Sequence, residues 1–273
     1  MNASRLVPLL LAALLLLGLL VAFGRPLSRA MLYPGSPAAV PSAAELLRLP
    51  ADARRTEYGA PGGPRLVGLY LPPPDAGAPV AVYFHGNAES AVLNLPLAMA
   101  LHERGIGVFL AEYRGFGGCP GRPTEEGLYA DGEAAVDWVL AQGVAPARVA
   151  LVGRSLGSGV AVEVALRREP ARLVLVSAYT SIVDMGRLVV GPLSPLVVAD
   201  RFDSLGKLAR VAAPVTLIHG GRDEVVPVEM GRRLARVCPD ARYLEVPGAS
   251  HNDFPGLASL LAEAIRGDTE AVR

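Results

Sequence analysis

Short apolar runs alternate with amphipathic helical patterns along most of this 273-residue chain. The sequence predicts strands at residues 66–70, 80–85, 107–112, 149–153, 173–177, 215–219 and 242–246, and helices at 91–103, 124–140, 156–168, 228–237 and 254–265. Predicted strands such as VAVYF and VALVG are apolar at every position, whereas a strand with one face in water alternates apolar and polar residues. Strands that are buried on both faces belong in a parallel sheet covered by helices on each side. The pattern therefore predicts a doubly wound α/β domain.

One predicted strand runs directly into a serine flanked by glycines. The strand VALVG leads into Gly153-Arg154-Ser155-Leu156-Gly157, and a helical pattern of small residues follows at once. In this strand-turn-helix setting, Gly-x-Ser-x-Gly is typical of a nucleophile elbow, a sharp turn whose glycines leave room for the neighbouring strand and helix. Ser155 is therefore the predicted nucleophile. A serine that only caps the helix has the same local geometry, and that alternative is preferred only if no base and acid follow in the chain.

A carboxylate and a histidine do follow, each directly after its own predicted strand. The candidates are Asp223 and His251. The carboxyl ends of parallel strands share one edge of a sheet, and the chain order Ser155, Asp223, His251 is typical of hydrolases with a nucleophile elbow. His251 is the predicted base that removes the Ser155 proton, and Asp223 is predicted to orient the imidazole and stabilise its charged form. Glu224 and Asp253 are the competing candidates for the acid.

The end of the second predicted strand supplies a candidate oxyanion hole. The chain there reads His85-Gly86-Asn87, a turn whose glycine lets the backbone approach a bound carbonyl group. We expect the backbone N–H groups of Asn87 and Leu156 to be the two donors. His85 is predicted to hydrogen-bond this loop, and His219 is predicted to brace the loop that carries the acid.

The N-terminal residues form an uninterrupted apolar stretch. Residues 6–23 carry no charge, and 18 residues in a helix span about 27 Å, close to the hydrocarbon thickness of a bilayer. We predict a single-pass transmembrane anchor, in a bacterial inner membrane, because the run is longer than the apolar region of a signal peptide and lacks a small-x-small cleavage site. A cleaved signal peptide is the alternative. The few arginines on each side leave the sidedness of the anchor open.

The predicted organisation has three parts. Residues 1–33 hold the anchor and its flank, and residues 34–64 form a Pro-, Ala- and Gly-rich tether with a short helix near residues 43–49. Residues 65–273 form the catalytic domain. Within it, residues 181–211 contain helical fragments but no clear strand, and they are predicted to form a short cap.

Charge and cysteine content argue against several classes of function. The 26 basic residues balance the 26 acidic ones, so the chain lacks the basic excess of a nucleic-acid binder. Cys119 and Cys238 are too few for a disulfide framework and do not lie at metal-ligand spacing. We expect neither a cofactor nor a metal. The predicted partners are a small-molecule or lipid-linked ester substrate and, through the N-terminal helix, a membrane.

Several of these segments together resemble the α/β-hydrolase superfamily, and in particular its small, N-terminally anchored serine hydrolases of the ABHD (α/β-hydrolase-domain) type. The segments that carry the resemblance include VYFHGNAES, VGRSLGSG, APVTLIHGGRDEVVP and GASHND. The resemblance implies an eight-stranded, mostly parallel sheet and a cofactor-free acyl-transfer site on Ser155, Asp223 and His251. Members of this group are esterases, lipases, acyl-protein thioesterases and occasionally peptidases or amidases.

The expected function is therefore that of a membrane-anchored serine hydrolase that cleaves carboxylic esters or thioesters. A serine peptidase or amidase on the same fold is the first alternative, because it shares every catalytic residue. The second alternative is a membrane-tethered binding protein without turnover, since a fold does not dictate a function.

Overall fold

The computed structural model describes residues 3–34 and 53–268. In these ranges eight strands form a sheet: β1 (Arg54–Tyr58), β2 (Leu66–Leu71), β3 (Val80–Phe84), β4 (Gly107–Ala111), β5 (Val149–Arg154), β6 (Arg172–Val176), β7 (Val215–Gly220) and β8 (Arg242–Val246). Their order across the sheet is β1-β2-β4-β3-β5-β6-β7-β8. Strand β2 runs antiparallel to both β1 and β4, and the other pairs are parallel. The predicted eight-stranded, mostly parallel sheet is confirmed.

Helices cover both faces of this sheet. In the described ranges they are α1 (Ala3–Leu32), α2 (Leu95–His102), α3 (Glu125–Ala141), α4 (Leu156–Arg168), α5 (Ile182–Val190), α6 (Ser194–Val197), α7 (Ser204–Leu208), α8 (Val228–Val237) and α9 (Leu257–Arg266). Short 3-10 turns lie at Ala91–Asn94, Pro146–Arg148 and Gly191–Leu193.

The central strand β3 shows why its sequence is apolar throughout. Every residue of β3 is buried. Val80, Val82 and Phe84 pack into one core cluster with residues of α3, α4, α7 and α8, whereas Ala81 and Tyr83 pack into a second cluster with residues of α2 and α9. Alternate side chains of one strand therefore fill two cores, one on each side of the sheet. This arrangement confirms the doubly wound prediction.

The seven predicted strands are all present, and each end lies within one residue of its predicted position. Strand β1 was not predicted. Its sequence RRTEY has no alternating apolar pattern and only its last residue is buried, so it forms through edge pairing with β2. It lies inside the segment that was predicted to be a tether. The short helix predicted near residues 43–49 lies outside the described residues.

The prediction of a transmembrane anchor needs correction. The predicted span lies within α1, but in the described part of the chain no helix combines the length and the apolar character needed to cross a membrane. The second half of α1 contacts the rest of the protein: Gly24 lies against Val197 of α6, and Arg29 forms an ion pair with Asp200. A helix face that is apolar can be shielded from water by protein as well as by lipid. The single-pass anchor, and with it the predicted membrane localisation, is wrong.

Residues 181–211, here called the cap, connect β6 to β7. They form α5, α6, α7 and one 3-10 turn, and no strand is found among them. Ser181 begins α5 by accepting a hydrogen bond from the Asp184 N–H at 2.9 Å, and Asp203 begins α7 by accepting one from the Gly206 N–H at 3.1 Å. The cap lies beside the second half of α1.

Candidate active site

Ser155 occupies a strained turn between β5 and α4. Its backbone has φ +49° and ψ −118°, in the region that residues with a side chain rarely adopt. A Cβ at Gly153 would lie 2.5 Å from the Gly157 carbonyl oxygen, and a Cβ at Gly157 would overlap the Phe84 carbonyl group of β3. Both glycines are therefore required by close backbone approach, as the nucleophile-elbow pattern predicts. The turn places Ser155 at the N-terminus of α4, where the helix dipole favours a developing negative charge.

Asp223 and His251 are in contact at the same edge of the sheet. Both carboxylate oxygens of Asp223 lie 2.9 Å from His251 Nδ1. The Asp223 side chain is fully buried, and its Oδ1 also accepts hydrogen bonds from the N–H groups of Val225 (3.0 Å) and Val226 (2.8 Å). Burial alone would raise the pKa of the Asp223 carboxyl, but the hydrogen bonds from His251 and Val226 lower that pKa to about 2.

The two competing acids occupy other positions. Glu224 Oε2 accepts a hydrogen bond from the His251 backbone N–H at 3.2 Å, so it contacts the main chain of the histidine and not its ring. The backbone N–H of Asp253 donates to Ser250 Oγ at 3.1 Å and closes the same loop. The geometry therefore pairs the imidazole with Asp223.

The low pKa of Asp223 predicts a pH-dependent contribution to stability. The folded-state pKa of about 2 lies below the ordinary value of 3.8, so this contribution is present above pH 4 or so and is lost as the pH falls towards 2. The difference corresponds to about 2 kcal/mol. We expect the free energy of unfolding, measured in urea, to fall by about that much more in the wild type than in Asp223→Asn between about pH 5 and about pH 2. An equal fall in the two proteins would contradict the prediction.

Ser155 and His251 are linked through Arg154, a residue that the sequence analysis did not single out. Arg154 Nη2 donates to the His251 carbonyl oxygen at 2.7 Å and to Asn252 Oδ1 at 3.0 Å, and its Nη1 forms an ion pair with Glu89. Glu89 in turn accepts a hydrogen bond from the Gly86 N–H at 3.2 Å. Arg154 therefore ties together the elbow, the histidine loop and the turn after β3. The elbow pattern leaves this position unspecified, so nothing in the motif indicated its partners.

The hydroxyl of Ser155 does not bond to the imidazole in this structure. Among the hydrogen bonds of the described residues, none joins Ser155 Oγ to His251. Catalytic hydrogen bonds are often long in the absence of substrate and tighten when it binds. The structure thus brings Asp223 and His251 into contact, and it joins Arg154, the residue before Ser155, to the main chain of His251.

Arg154 and Glu89 are expected to act as one positioning unit. We expect Arg154→Gln and Glu89→Gln each to lower kcat by about tenfold with little change in KM, because neither side chain is assigned a contact with substrate. Because both changes break the same ion pair, the double variant should lose scarcely more than either single variant. A double-mutant cycle on kcat measures this coupling. If the loss of kcat in the double variant equals the product of the two single losses, the two residues act independently.

The turn after β3 lies directly against the elbow. A Cβ at Gly86 would lie 3.4 Å from Ser155 Cβ. Asn87 and Leu156 line the same cavity as Ser155, and Leu156 is the first residue of α4. The first N–H groups of a helix have no partner within the helix, so the Leu156 N–H is suited to bind a developing oxyanion. Asn87 and Leu156 therefore stay the candidates for the oxyanion hole.

The buried side chain of His85 holds this turn in place through its two ring nitrogens. Its Nδ1 lies 2.8 Å from the Gly86 carbonyl oxygen and its Nε2 lies 2.6 Å from Glu112 Oε1. The other oxygen of Glu112 accepts the Ala91 N–H at 2.9 Å. Burial alone would lower the pKa of His85, but the Glu112 carboxylate raises it. His85 therefore lies where it braces the loop and not where it could take part in the reaction.

Other titratable side chains are poor candidates for catalysis. His219 Nε2 lies 2.9 Å from the Val226 carbonyl oxygen and 3.5 Å from Asp223 Oδ2, so it braces the acid loop, and burial lowers its pKa. Burial raises the pKa of the Cys119 thiol to about 11, so the reactive thiolate is scarce at neutral pH. Within the described residues no group of His, Cys, Asp and Glu side chains is arranged to hold a metal ion.

Ser155 opens onto a cavity of about 580 Å³. This volume is within the range of sites that hold small organic ligands. The polar or ionisable side chains that line it are Ser28, Asn87, Ser155 and Tyr179. The remaining lining residues are Leu20, Gly24, Leu27, Met31, Leu32, Leu156, Ile182, Met185, Gly186, Val189, Val190, Val197, Val198, Val225 and Val226. The candidate nucleophile therefore faces an apolar cavity built from the catalytic domain, the cap and α1.

Comparison with known proteins places this geometry in a family. The family model described as "Serine aminopeptidase, S33" matches residues 78–203, which include the elbow. The "Uncharacterized protein Rv2307c" of Mycobacterium tuberculosis is 42% identical over 245 residues, or 87% of this chain and 85% of that protein. The human "Alpha/beta hydrolase domain-containing protein 17B" is 34% identical over 178 residues, or 63% of this chain and 60% of that protein.

Solved structures share the whole architecture. An alpha-beta hydrolase from Vibrio vulnificus superposes with a TM-score of 0.74 at 19% identity, covering 89% of this chain and 92% of that one. The esterase Pf2001 of Pyrococcus furiosus superposes with a TM-score of 0.68 at 19% identity, covering 85% of this chain and 98% of that one. At such identities the likeness shows the fold alone. Together with the sequence relatives, it shows that this chain belongs to the α/β-hydrolase superfamily.

Proposed function

We propose that this chain is a serine hydrolase that cleaves carboxylic esters or thioesters of apolar acyl groups through an acyl-Ser155 intermediate. One observation carries the proposal: the serine at the strained elbow lines a cavity whose side chains are almost all apolar. A hydrocarbon chain gains about 25 cal/mol for each Å² of apolar surface that it buries. The cavity beside the nucleophile therefore favours an acyl chain over a polar group.

In the first half of the reaction, Ser155 Oγ attacks the carbonyl carbon of the substrate while His251 Nε2 takes the hydroxyl proton. The carbonyl oxygen becomes an oxyanion and accepts hydrogen bonds from the N–H groups of Asn87 and Leu156. When the intermediate collapses, the bond to the leaving alcohol or thiol breaks, and His251 returns the proton to that group. The acyl group is then bonded to Ser155 Oγ.

In the second half, water attacks the acyl-enzyme. His251 removes a proton from the water, the carboxylic product leaves, and the proton returns to Ser155 Oγ. Asp223 remains ionised throughout, because its pKa of about 2 lies far below neutral pH. It accepts the Nδ1–H of His251 and so stabilises the imidazolium that forms in each half.

A panel of substrates tests the proposal. We expect kcat/KM to rise with chain length across p-nitrophenyl esters, because each added methylene leaves water for the apolar cavity. Acyl-CoA thioesters of the same chains separate thioesterase from esterase activity. No turnover of any ester or thioester would overturn the proposal and favour a binding protein on this fold.

A serine peptidase is the second candidate, and the description of the matching family as a serine aminopeptidase favours it. It would use the same catalytic residues and differ only in the leaving group. An aminopeptidase needs an acidic side chain to bind the free amino group of its substrate, and the described residues that line the cavity include none that carries a charge. Preference for amino-acid anilides over esters in the same panel would establish the peptidase instead.

A further inference from the structure

The second half of α1 is fixed to the cap by close packing and by a hydrogen bond between a backbone N–H and a side chain. Gly24 lies so near Val197 that a Cβ at position 24 would be 2.7 Å from Val197 Cγ1. Ser28 Oγ accepts a hydrogen bond from the Ala199 N–H at 3.3 Å. The helix backbone and the cap therefore approach each other as closely as a glycine allows.

An ion pair extends the same contact by one helical turn. Arg29 Nε lies 2.7 Å from Asp200 Oδ2, and Arg29 Nη2 lies 3.2 Å from Asp200 Oδ1. The Asp200 side chain is only 5% exposed and also accepts the Glu125 N–H at 3.1 Å. A buried carboxylate that loses its cationic partner is strongly destabilising, so this bidentate pair holds α1 in place. Tyr33, directly after the helix, is buried in the main core cluster.

The face of α1 that this contact turns inward lines the cavity of Ser155. Its lining residues are Leu20, Gly24, Leu27, Ser28, Met31 and Leu32. Their spacing of three and four residues places them on one side of a helix. The other lining residues are mainly apolar residues of α5, together with Val225 and Val226. An acyl chain on Ser155 would therefore contact α1 as well as the catalytic domain.

Two of the α1 side chains that line the cavity are largely exposed, and we take them to lie at its rim. Leu27 is 61% exposed and Met31 is 62% exposed, although both contribute to the cavity wall. An acyl chain on Ser155 that is long enough to reach these side chains would contact them, whereas a shorter group would not. The rim is where a site can distinguish acyl groups by their length.

We propose that α1 is one wall of the acyl-binding pocket, and that Leu27 and Met31 select for long acyl chains. This inference rests on the proposed function, since it assigns a substrate class to the same site. It makes the N-terminal helix a specificity-determining element of the enzyme. Leu27 and Met31 have no role in the proposed chemical step, so we expect them to act on chain preference.

A matched pair of alanine variants in the full chain tests this inference. Phe23 is the control, because it is 72% exposed on the same helix and does not line the cavity. We expect Leu27→Ala to lower kcat/KM for p-nitrophenyl dodecanoate by about tenfold and to leave the butyrate ester within about twofold of wild type. Phe23→Ala should leave both esters unchanged. Met31→Ala should behave as Leu27→Ala does.

The outcomes separate this inference from the proposed function. If the wild type hydrolyses both esters and Leu27→Ala changes neither, or lowers both equally, the role of α1 is overturned and the hydrolase proposal stands. If the wild type hydrolyses no ester, the hydrolase proposal fails, and binding of a fluorescent dodecanoic acid analogue decides the role of α1. A Kd about tenfold weaker in Leu27→Ala and in Met31→Ala, but not in Phe23→Ala, supports this role for α1, and equal Kd values in the wild type and all three variants overturn it.

Discussion

Replacing Ser155 with alanine is expected to lower kcat/KM towards the best ester substrate by about 10⁴-fold or more, because in the proposed mechanism the acyl intermediate forms on the Ser155 hydroxyl. The variant should remain folded, since the change removes one oxygen and leaves the glycines of the elbow in place. Thermal unfolding followed by circular dichroism checks this point. The measurement is hydrolysis of p-nitrophenyl esters by the two proteins at equal concentration.

A second serine provides the control for this prediction. Ser259 is exposed on α9, and its Oγ accepts a hydrogen bond from Arg104 Nη2 at 3.4 Å. Ser259→Ala should keep the activity of the wild type. A Ser155→Ala protein that retains a tenth or so of the wild-type rate would remove Ser155 from the mechanism, because a missing nucleophile costs far more than that.

The glycines of the elbow should be the most sensitive positions for folding. A Cβ at Gly157 would overlap the Phe84 carbonyl group and would also lie 2.7 Å from the His85 carbonyl oxygen. Both neighbours are backbone atoms of the central sheet and its following turn, so they cannot move aside as a side chain could. We expect Gly157→Ala to destabilise the protein by about 3 kcal/mol or more, measured by urea unfolding.

Gly77 is the matched control, because a Cβ there would meet nothing within 4 Å and the backbone needs no positive φ. We expect Gly77→Ala to change the free energy of unfolding by less than about 0.5 kcal/mol. Equal stabilities of Gly157→Ala and wild type would mean that the elbow is not packed as described. The comparison therefore tests the local geometry that exposes Ser155, independently of any substrate.

The central sheet could be predicted from the sequence because its signals are local. Every residue of β3 and the first five residues of β5 are apolar, which distinguishes a doubly covered strand from one with a face in water. The elbow was equally clear, since Gly153 and Gly157 are required by contacts that any strand-turn-helix of this kind must make. Asp223 and His251 followed from their positions after β7 and β8.

Other features depend on partners that are distant in the chain. Strand β1 is polar, and only its pairing with β2 makes it a strand. The ion pair between Arg154 and Glu89 joins residues 65 positions apart, and no spacing rule connects them. Neither feature leaves a local pattern that a sequence reading could use.

The N-terminal helix shows the limit of hydropathy as a guide. An apolar helix face has the same composition whether lipid or protein covers it. The contacts that α1 makes with protein include those of Gly24 with Val197 and of Arg29 with Asp200. Both partners lie about 170 residues further along the chain, where no local pattern could indicate them. The transmembrane prediction from this run was wrong, because no helix in the described ranges has the length and hydropathy that a membrane span needs. The same face reappears as part of the wall of the candidate active site.

Covalent labelling with a fluorophosphonate tests the central claim most directly. The probe phosphonylates an activated serine, so intact-mass analysis should show one adduct per chain, and peptide mapping should place it on Ser155. We expect Ser155→Ala to take up no probe and His251→Ala to be labelled far more slowly, because the hydroxyl then lacks its base. An adduct on another residue, or equal labelling of the wild type and Ser155→Ala, would contradict the account.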